Sequence, residues 1–147
     1  MPSAGPGASK RPLIFLDANI LFSASLGGEV FEAIWEGARR KRYRMATSLY
    51  CLLEARENLL RKRPTALREL EDKLKVVTLV PEAEGASWMA SLVPEKDLPV
   101  LAAAVAAGAS VLLTGDTRHF KSLMSRQDLP LKVLTPRAFV LTFRPGD

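Results

Sequence analysis

The chain has a single cysteine, Cys51, among its 147 residues. One cysteine excludes an internal disulfide and any multi-cysteine metal site, and a cytoplasmic location is the matching expectation. Long hydrophobic runs are also missing. The most apolar stretch, Leu98 to Leu113, is broken by Pro99, Gly108 and Ser110 and is too short to cross a bilayer, so no membrane association is expected. Residues 1–12 carry no apolar segment of the signal-peptide kind and read as a flexible leader. Neither G-x-G-x-x-G nor G-x-x-x-x-G-K-[ST] occurs, which argues against dinucleotide and P-loop nucleotide binding. There is no internal repeat and no break in composition, so residues 13–147 read as one domain able to bury a real core.

What is present is basic and half apolar. Hydrophobic residues make up 48% and charged residues 25%, with a net charge of +5, a balance that favours polyanionic partners. The positive charge is clustered at Arg39, Arg40, Lys41, Arg42 and Arg44, and again at Arg56, Arg61, Lys62 and Arg63. Two solvated helix ends would look the same, because cations are favoured at a helix C-terminus.

The hydrophobic pattern alternates between strand and helix. Leu13–Leu16 is a strand buried on both faces, Glu29–Arg40 is helical, and Tyr43–Thr47 is a second strand. Ser48 is placed to cap a helix from Leu49 to Arg61, and Thr65 to cap one that follows Pro64 and carries Leu67, Leu70 and Leu74. Lys75–Val80 is β-rich, and a helix is expected over Ala83–Leu92. An Ala-rich helix with Pro99 in its first turn stops near Gly108, and Ser110–Thr114 is another buried strand. Arg118–Ser125 (helix), Leu131–Leu134 (strand) and a helix from Pro136 through Phe139 complete the series. Such alternation implies βαβ units, hence an α/β fold of three layers, α/β/α, around a parallel sheet of four to five strands.

Open parallel sheets bind ligands beyond the carboxyl ends of their strands. Asp17 closes the first strand and Asp116 follows Leu113-Thr114-Gly115, so both carboxylates fall on that edge. Asp97 begins a helix that runs antiparallel to the strand it feeds, which brings it to the same edge. Glu54, in the second turn of the helix after the second strand, is near it too. Alone, Asp97 and Asp116 are ordinary cap or turn residues. Leu49, Leu52, Leu53 and Leu60 put Glu54 on or beside a buried face, where a carboxylate needs a partner or a cation; Glu57, one turn on, is its rival. Converging carboxylates repel and take up protons unless a cation sits among them, and an all-oxygen set suits Mg2+ or Mn2+. His119 is the only histidine. A lone histidine is more often a surface or helix-packing residue, but beside Asp116 it can also contact a phosphate or shuttle a proton.

The segments Leu16-Asp17-Ala18-Asn19-Ile20-Leu21, Ser48 to Glu54, Asp97 to Ala104 and Leu113 to Phe120, with the closing Leu134 to Phe139, together resemble PIN domains. The resemblance implies Mg2+- or Mn2+-dependent phosphodiester cleavage, with one or two ions and usually an RNA substrate. It implies Asp17, Glu54, Asp97 and Asp116 as the acidic quartet and metal ligands, with Asn19, Ser48, Thr114 and Thr117 as supporting polar groups. Arg39, Arg40, Lys41, Arg42, Arg56, Arg118 and His119 are then candidates to hold the nucleic acid. Small bacterial PIN proteins are often VapC-like toxins that dimerise and are neutralised by an antitoxin. Many relatives carry one more acidic residue shortly after the last aspartate. This chain has Arg118 and His119 there, which puts a full second metal site in question. An RNA-binding or partner-binding module without catalysis is the competing function. A phosphate-transfer protein fits less well, because Asn19 stands where a haloacid-dehalogenase-like phosphatase would want its second aspartate.

Overall fold

The computed structural model describes residues 11–143, so residues 1–10 of the expected leader lie outside the described residues. β1 (Leu13–Leu16) is buried along its whole length. It ends at Asp17, whose side chain caps α1 (Ala18–Leu26). The sequence pattern does not predict α1. Ala18, Ile20, Leu21, Ala24 and Ser25 are all buried, so the helix has no polar stripe to set a 3.6-residue rhythm. Gly27 and Gly28, at φ 97° and 120°, then turn the chain through backbone that other residues rarely adopt.

α2 (Glu29–Arg39) leads to β2 (Arg44–Ser48), and α3 (Leu49–Lys62) starts from the expected cap, with the Ser48 hydroxyl accepting from the Cys51 N–H at 3.3 Å. Two expectations fail beyond it. Thr65 lies inside a 3-10 turn, Pro64–Ala66, and caps nothing; α4 (Leu67–Lys73) simply continues from that turn. The helix expected over Ala83–Leu92 is also absent. After β3 (Val77–Val80) the chain is irregular apart from a 3-10 turn at Ser87–Met89. Gly85 is packed so closely on Leu98 that a Cβ there would lie 2.9 Å from the leucine Cδ1. Met89 is the only residue of 83–92 that is fully buried, too little apolar face to hold a helix against the core.

A 3-10 turn, Glu95–Asp97, feeds α5 (Leu98–Ala106), and Gly108 at φ 74° follows as the expected stop. β4 (Val111–Leu113), α6 (Thr117–Met124), β5 (Lys132–Leu134) and α7 (Pro136–Thr142) complete the described chain. The last helix runs one turn beyond Phe139, started by the Thr135 hydroxyl, which accepts from the Ala138 N–H at 3.1 Å.

All five strands pair in parallel in the order β3-β2-β1-β4-β5, with helices on both faces of the sheet. This is the three-layer α/β/α arrangement expected from the alternation. β1 is central: the chain goes to one side for β2 and β3, then crosses to the other for β4 and β5. The order in which the strands are added therefore reverses between β1 and β4, and the crevice beyond their carboxyl ends is where such folds place ligands. Among the described residues no helix is long and apolar enough to cross a membrane.

Away from that crevice, Tyr43 pins α2 to the sheet. Its hydroxyl donates to the Ile34 carbonyl at 2.6 Å, and its ring stacks edge-on against Phe139 at 5.3 Å. A Cβ at Gly37 would overlap that hydroxyl. Gly37→Ala is expected to destabilise the protein by about 2 kcal/mol despite the better helix propensity of alanine. Urea denaturation monitored by circular dichroism measures it, and a neutral or stabilising result would mean that Tyr43 can move.

Candidate metal centre

The crevice between β1 and β4 is built around one carboxylate. Asp17 is 6% exposed. Its Oδ1 accepts from the Ala18 N–H at 2.7 Å, and its Oδ2 accepts from the Thr114 hydroxyl at 2.8 Å and from Asn19 Nδ2 at 3.2 Å. Burial pushes its carboxyl up to about 6 in spite of those donors, and the negative charges of Asp97 and Glu54 add to the rise. The neutral thiol of Cys51, itself pushed up to about 12 by burial, lies 3.9 Å from Oδ1.

Thr114 and Asn19 join β1 to the loop after β4. The Thr114 hydroxyl donates to Asp17 and accepts the Asp116 N–H at 3.0 Å. Asn19 Oδ1 accepts the Gly115 N–H at 2.7 Å. These two side chains therefore fix where Asp116 leaves the sheet. Asn19→Ala is expected to cost about 1 kcal/mol by removing the hydrogen bonds to the Gly115 N–H and to Asp17, a loss readable as a lower urea midpoint.

Asp116 caps α6 by accepting the His119 N–H on Oδ1 at 3.0 Å. Its other oxygen, Oδ2, is 2.8 Å from His119 Nδ1. Asp97 reaches the same nitrogen, with Oδ2 at 3.0 Å. Asp97 occupies the cap position of α5 but makes no capping hydrogen bond, so its carboxylate serves the crevice rather than the helix. Its carboxyl is raised chiefly by burial and further by Asp116, against the opposing influence of His119. Asp97 Oδ2 and His119 Nδ1 are both shut off from water with no properly aligned hydrogen-bond partner. Asp97, Asp116 and His119 can together offer three ligand atoms within 4.8 Å of one another. Two half-buried carboxylates and an imidazole turned on one another, with an orphaned oxygen among them, are a donor set that a divalent cation satisfies.

Glu54 is less deeply involved. It is exposed, as are Leu49, Leu53 and Leu60 at 50%, 50% and 55%, so the buried face inferred for this part of α3 is not there. It reaches the centre from the rim instead. With Asn19, Phe22, Asn58 and Lys62 it lines a cavity of about 170 Å3, and it acts electrostatically on Asp17. Glu57 takes no part in either. Among the supporting groups, Ser48 serves as the cap of α3 and Thr117 is exposed, its hydroxyl making no hydrogen bond among the described residues.

The basic residues divide sharply. β2 begins at Arg44, in register with Leu13, so Arg39, Arg40, Lys41 and Arg42 sit at the amino edge of the sheet, about 13 Å or more from the crevice. Arg39 and Arg40 are also paired with Glu36. Arg56 lines a cavity with Leu67, Leu70 and Leu74 on the α4 side of α3. Lys62, on the Glu54 face with its ammonium 5.7 Å from the centre of the Phe22 ring, and the exposed Arg118 in the first turn of α6 are nearer. Tyr50, which no sequence signal singles out, ties α3 to the turn before α5 by donating to the Lys96 carbonyl at 2.7 Å.

The sequence matches the family model for the PIN domain over residues 13–118. The chain belongs to the PIN-domain family. No curated protein matches the chain. Among solved structures, this PIN chain is similar to one in the crystal structure of VapBC2 from Rickettsia felis bound to a DNA fragment from their promoter. The TM-score is 0.64 at 19% identity, over 84% of this chain and 98% of that one. At that identity the likeness shows a shared fold. The resemblance read from Leu16-Asp17, Asp97 and Gly115-Asp116 thus points to the right family.

Proposed function

We propose that this chain, as one PIN domain from Leu13 onward, is a divalent-metal-dependent endoribonuclease. The observation that carries the reading is the buried Asp17 carboxylate at the switch point of the sheet, which feels the charge of Asp97 and is joined through the Thr114 hydroxyl to the Asp116 N–H. Asp17, Asp97 and Asp116 would hold the cation, Mg2+ or Mn2+, with Glu54 at the rim. A bound cation supplies the Lewis acidity that makes water a nucleophile at neutral pH and offsets the charge of the phosphodiester. The protein's own part is orientation. Thr114 and Asn19 clamp Asp17, and the α6 cap fixes Asp116. Glu54 is exposed and free to accept a proton from water at the rim. Lys62 and Arg118 are the cations best placed to hold the RNA backbone against the acidic centre.

The VapBC2 likeness supports, at the level of fold, a toxin neutralised by an antitoxin, and the exposed Leu49, Leu53 and Leu60 of α3 offer an apolar surface for a homodimer or that partner. Purified protein is expected to cut single-stranded RNA in Mn2+ and to stop in excess chelator. Salt-dependent RNA binding without cutting under any divalent cation would leave a binding module instead.

A further inference from the structure

We propose that His119 is a direct nitrogen ligand of the cation, forming with Asp97 and Asp116 a mixed oxygen–nitrogen site that prefers Mn2+ or a later first-row ion to Mg2+. This rests on the metal-centre reading above and concerns a residue type that an all-carboxylate centre would not use. Three observations carry it.

The first is placement. His119 lies in the first turn of α6, three residues after Asp116, and that turn brings its ring to both Asp116 and Asp97. The helix cap holds the pair in order: the His119 N–H takes Asp116 Oδ1, which leaves Oδ2 facing the ring.

The second is spacing. Nδ1 lies 3.0 Å from Asp97 Oδ2 and 2.8 Å from Asp116 Oδ2. Ligand atoms on adjacent corners of an octahedron with bonds of about 2.1 Å stand about 3.0 Å apart. The same distances would suit an imidazolium shared by two carboxylates, but that arrangement needs the N–H aimed at an oxygen. Here neither contact has the alignment of a good hydrogen bond, and His119 Nδ1 is the nearest nitrogen to Asp97 Oδ2 among the described residues.

The third is chemistry. Both atoms are closed to water. Two carboxylate oxygens turned on a buried imidazole nitrogen are a stable set only around a positive charge, whether a proton or a metal ion. Imidazole nitrogen suits Zn2+, Fe2+, Ni2+ and Cu2+, whereas Mg2+ strongly favours oxygen. One nitrogen among oxygens therefore moves the site along the first-row series and away from Mg2+.

Because His119 is the only histidine in the chain, any imidazole coupling is assigned without ambiguity. Untagged wild-type protein loaded with Mn2+ is expected to show 14N modulation from a bound imidazole in pulsed electron paramagnetic resonance. His119→Ala is expected to lose that modulation and bind Mn2+ at least about tenfold more weakly by calorimetry, with a smaller change for Mg2+. His119→Asp is expected to narrow the preference of Mn2+ over Mg2+. Wild-type protein that binds Mn2+ tightly with no nitrogen modulation overturns the assignment while leaving the carboxylate centre in place. Wild-type protein that binds no Mn2+ overturns both. The wild-type spectrum decides the matter even if a variant fails to fold.

Discussion

Asp17→Asn and Asp116→Asn should each lower metal-dependent RNA cleavage about a thousandfold, a loss of about 4 kcal/mol of transition-state stabilisation, while leaving the fold intact. The expectation of an intact fold comes from local bonding. Asparagine keeps the carbonyl oxygen that caps a helix, so the Asp116→Asn side chain still accepts the His119 N–H and α6 still starts where it does. At position 17 the side chain keeps its shape and its acceptor for the Ala18 N–H, and the Thr114 hydroxyl can accept from the new amide; the Asn19 amide loses one acceptor, a local cost too small to unfold the protein. What each substitution removes is negative charge at the one place where β1 and β4 present it together. Glu54→Gln should cost less, about tenfold, because Glu54 stands exposed at the rim and other groups or water can replace it. Glu57→Gln should leave the rate unchanged. Cleavage of a labelled single-stranded RNA in Mn2+, with circular dichroism as the check on folding, measures all four. Full activity in both Asp17→Asn and Asp116→Asn would remove the proposed centre.

The parts of this site that are legible in the sequence are those set by strand ends. A wholly apolar run such as Leu13–Leu16 has to be an inner strand, and the first carboxylate after it has to emerge at the sheet edge; Val111–Leu113 and Asp116 follow the same logic. α1 is not legible, because a helix buried nearly all round has no alternation to read, and its cap, Asp17, already has a reason to be there as a strand end. Glu54 is put near the edge by its place in the helix that leaves β2, but it is not buried there. The leucines around it suggest a buried face, whereas α3 leaves Leu49, Leu53 and Leu60 in solvent. Hydrophobicity alone does not separate core from a surface awaiting a partner. The Arg39–Arg42 cluster shows the opposite error. Charge suggests proximity to the acidic residues, but the parallel pairing of Leu13 with Arg44 sends the cluster to the far edge. His119 can be tied to Asp116 by spacing; its approach to Asp97, in a distant part of the sequence, depends on how α5 and α6 converge.

The same buried carboxylate that supports activity should destabilise the metal-free protein. Asp17 titrates near 6 in the fold against an ordinary 3.8, so the folded state holds its proton more tightly than the unfolded chain does. The stability this contributes is complete below about pH 4 and is lost as pH rises through about 6, and the difference corresponds to about 3 kcal/mol. An asparagine amide does not ionise. In chelator, Asp17→Asn should therefore match the wild type or fall slightly below it near pH 4, and exceed it by about 2–3 kcal/mol at pH 8. Saturating Mn2+ should reverse the order at pH 8. A ligand at about a thousand times its dissociation constant stabilises the native state by about 4.1 kcal/mol, more than that deficit, and only the wild type retains the full charge that binds it. Urea unfolding of both proteins at several pH values, with and without Mn2+, reads these differences directly. Curves that stay parallel across pH in chelator would mean that Asp17 is ionised at no cost in the fold, and that the protein does not depend on a cation to neutralise it.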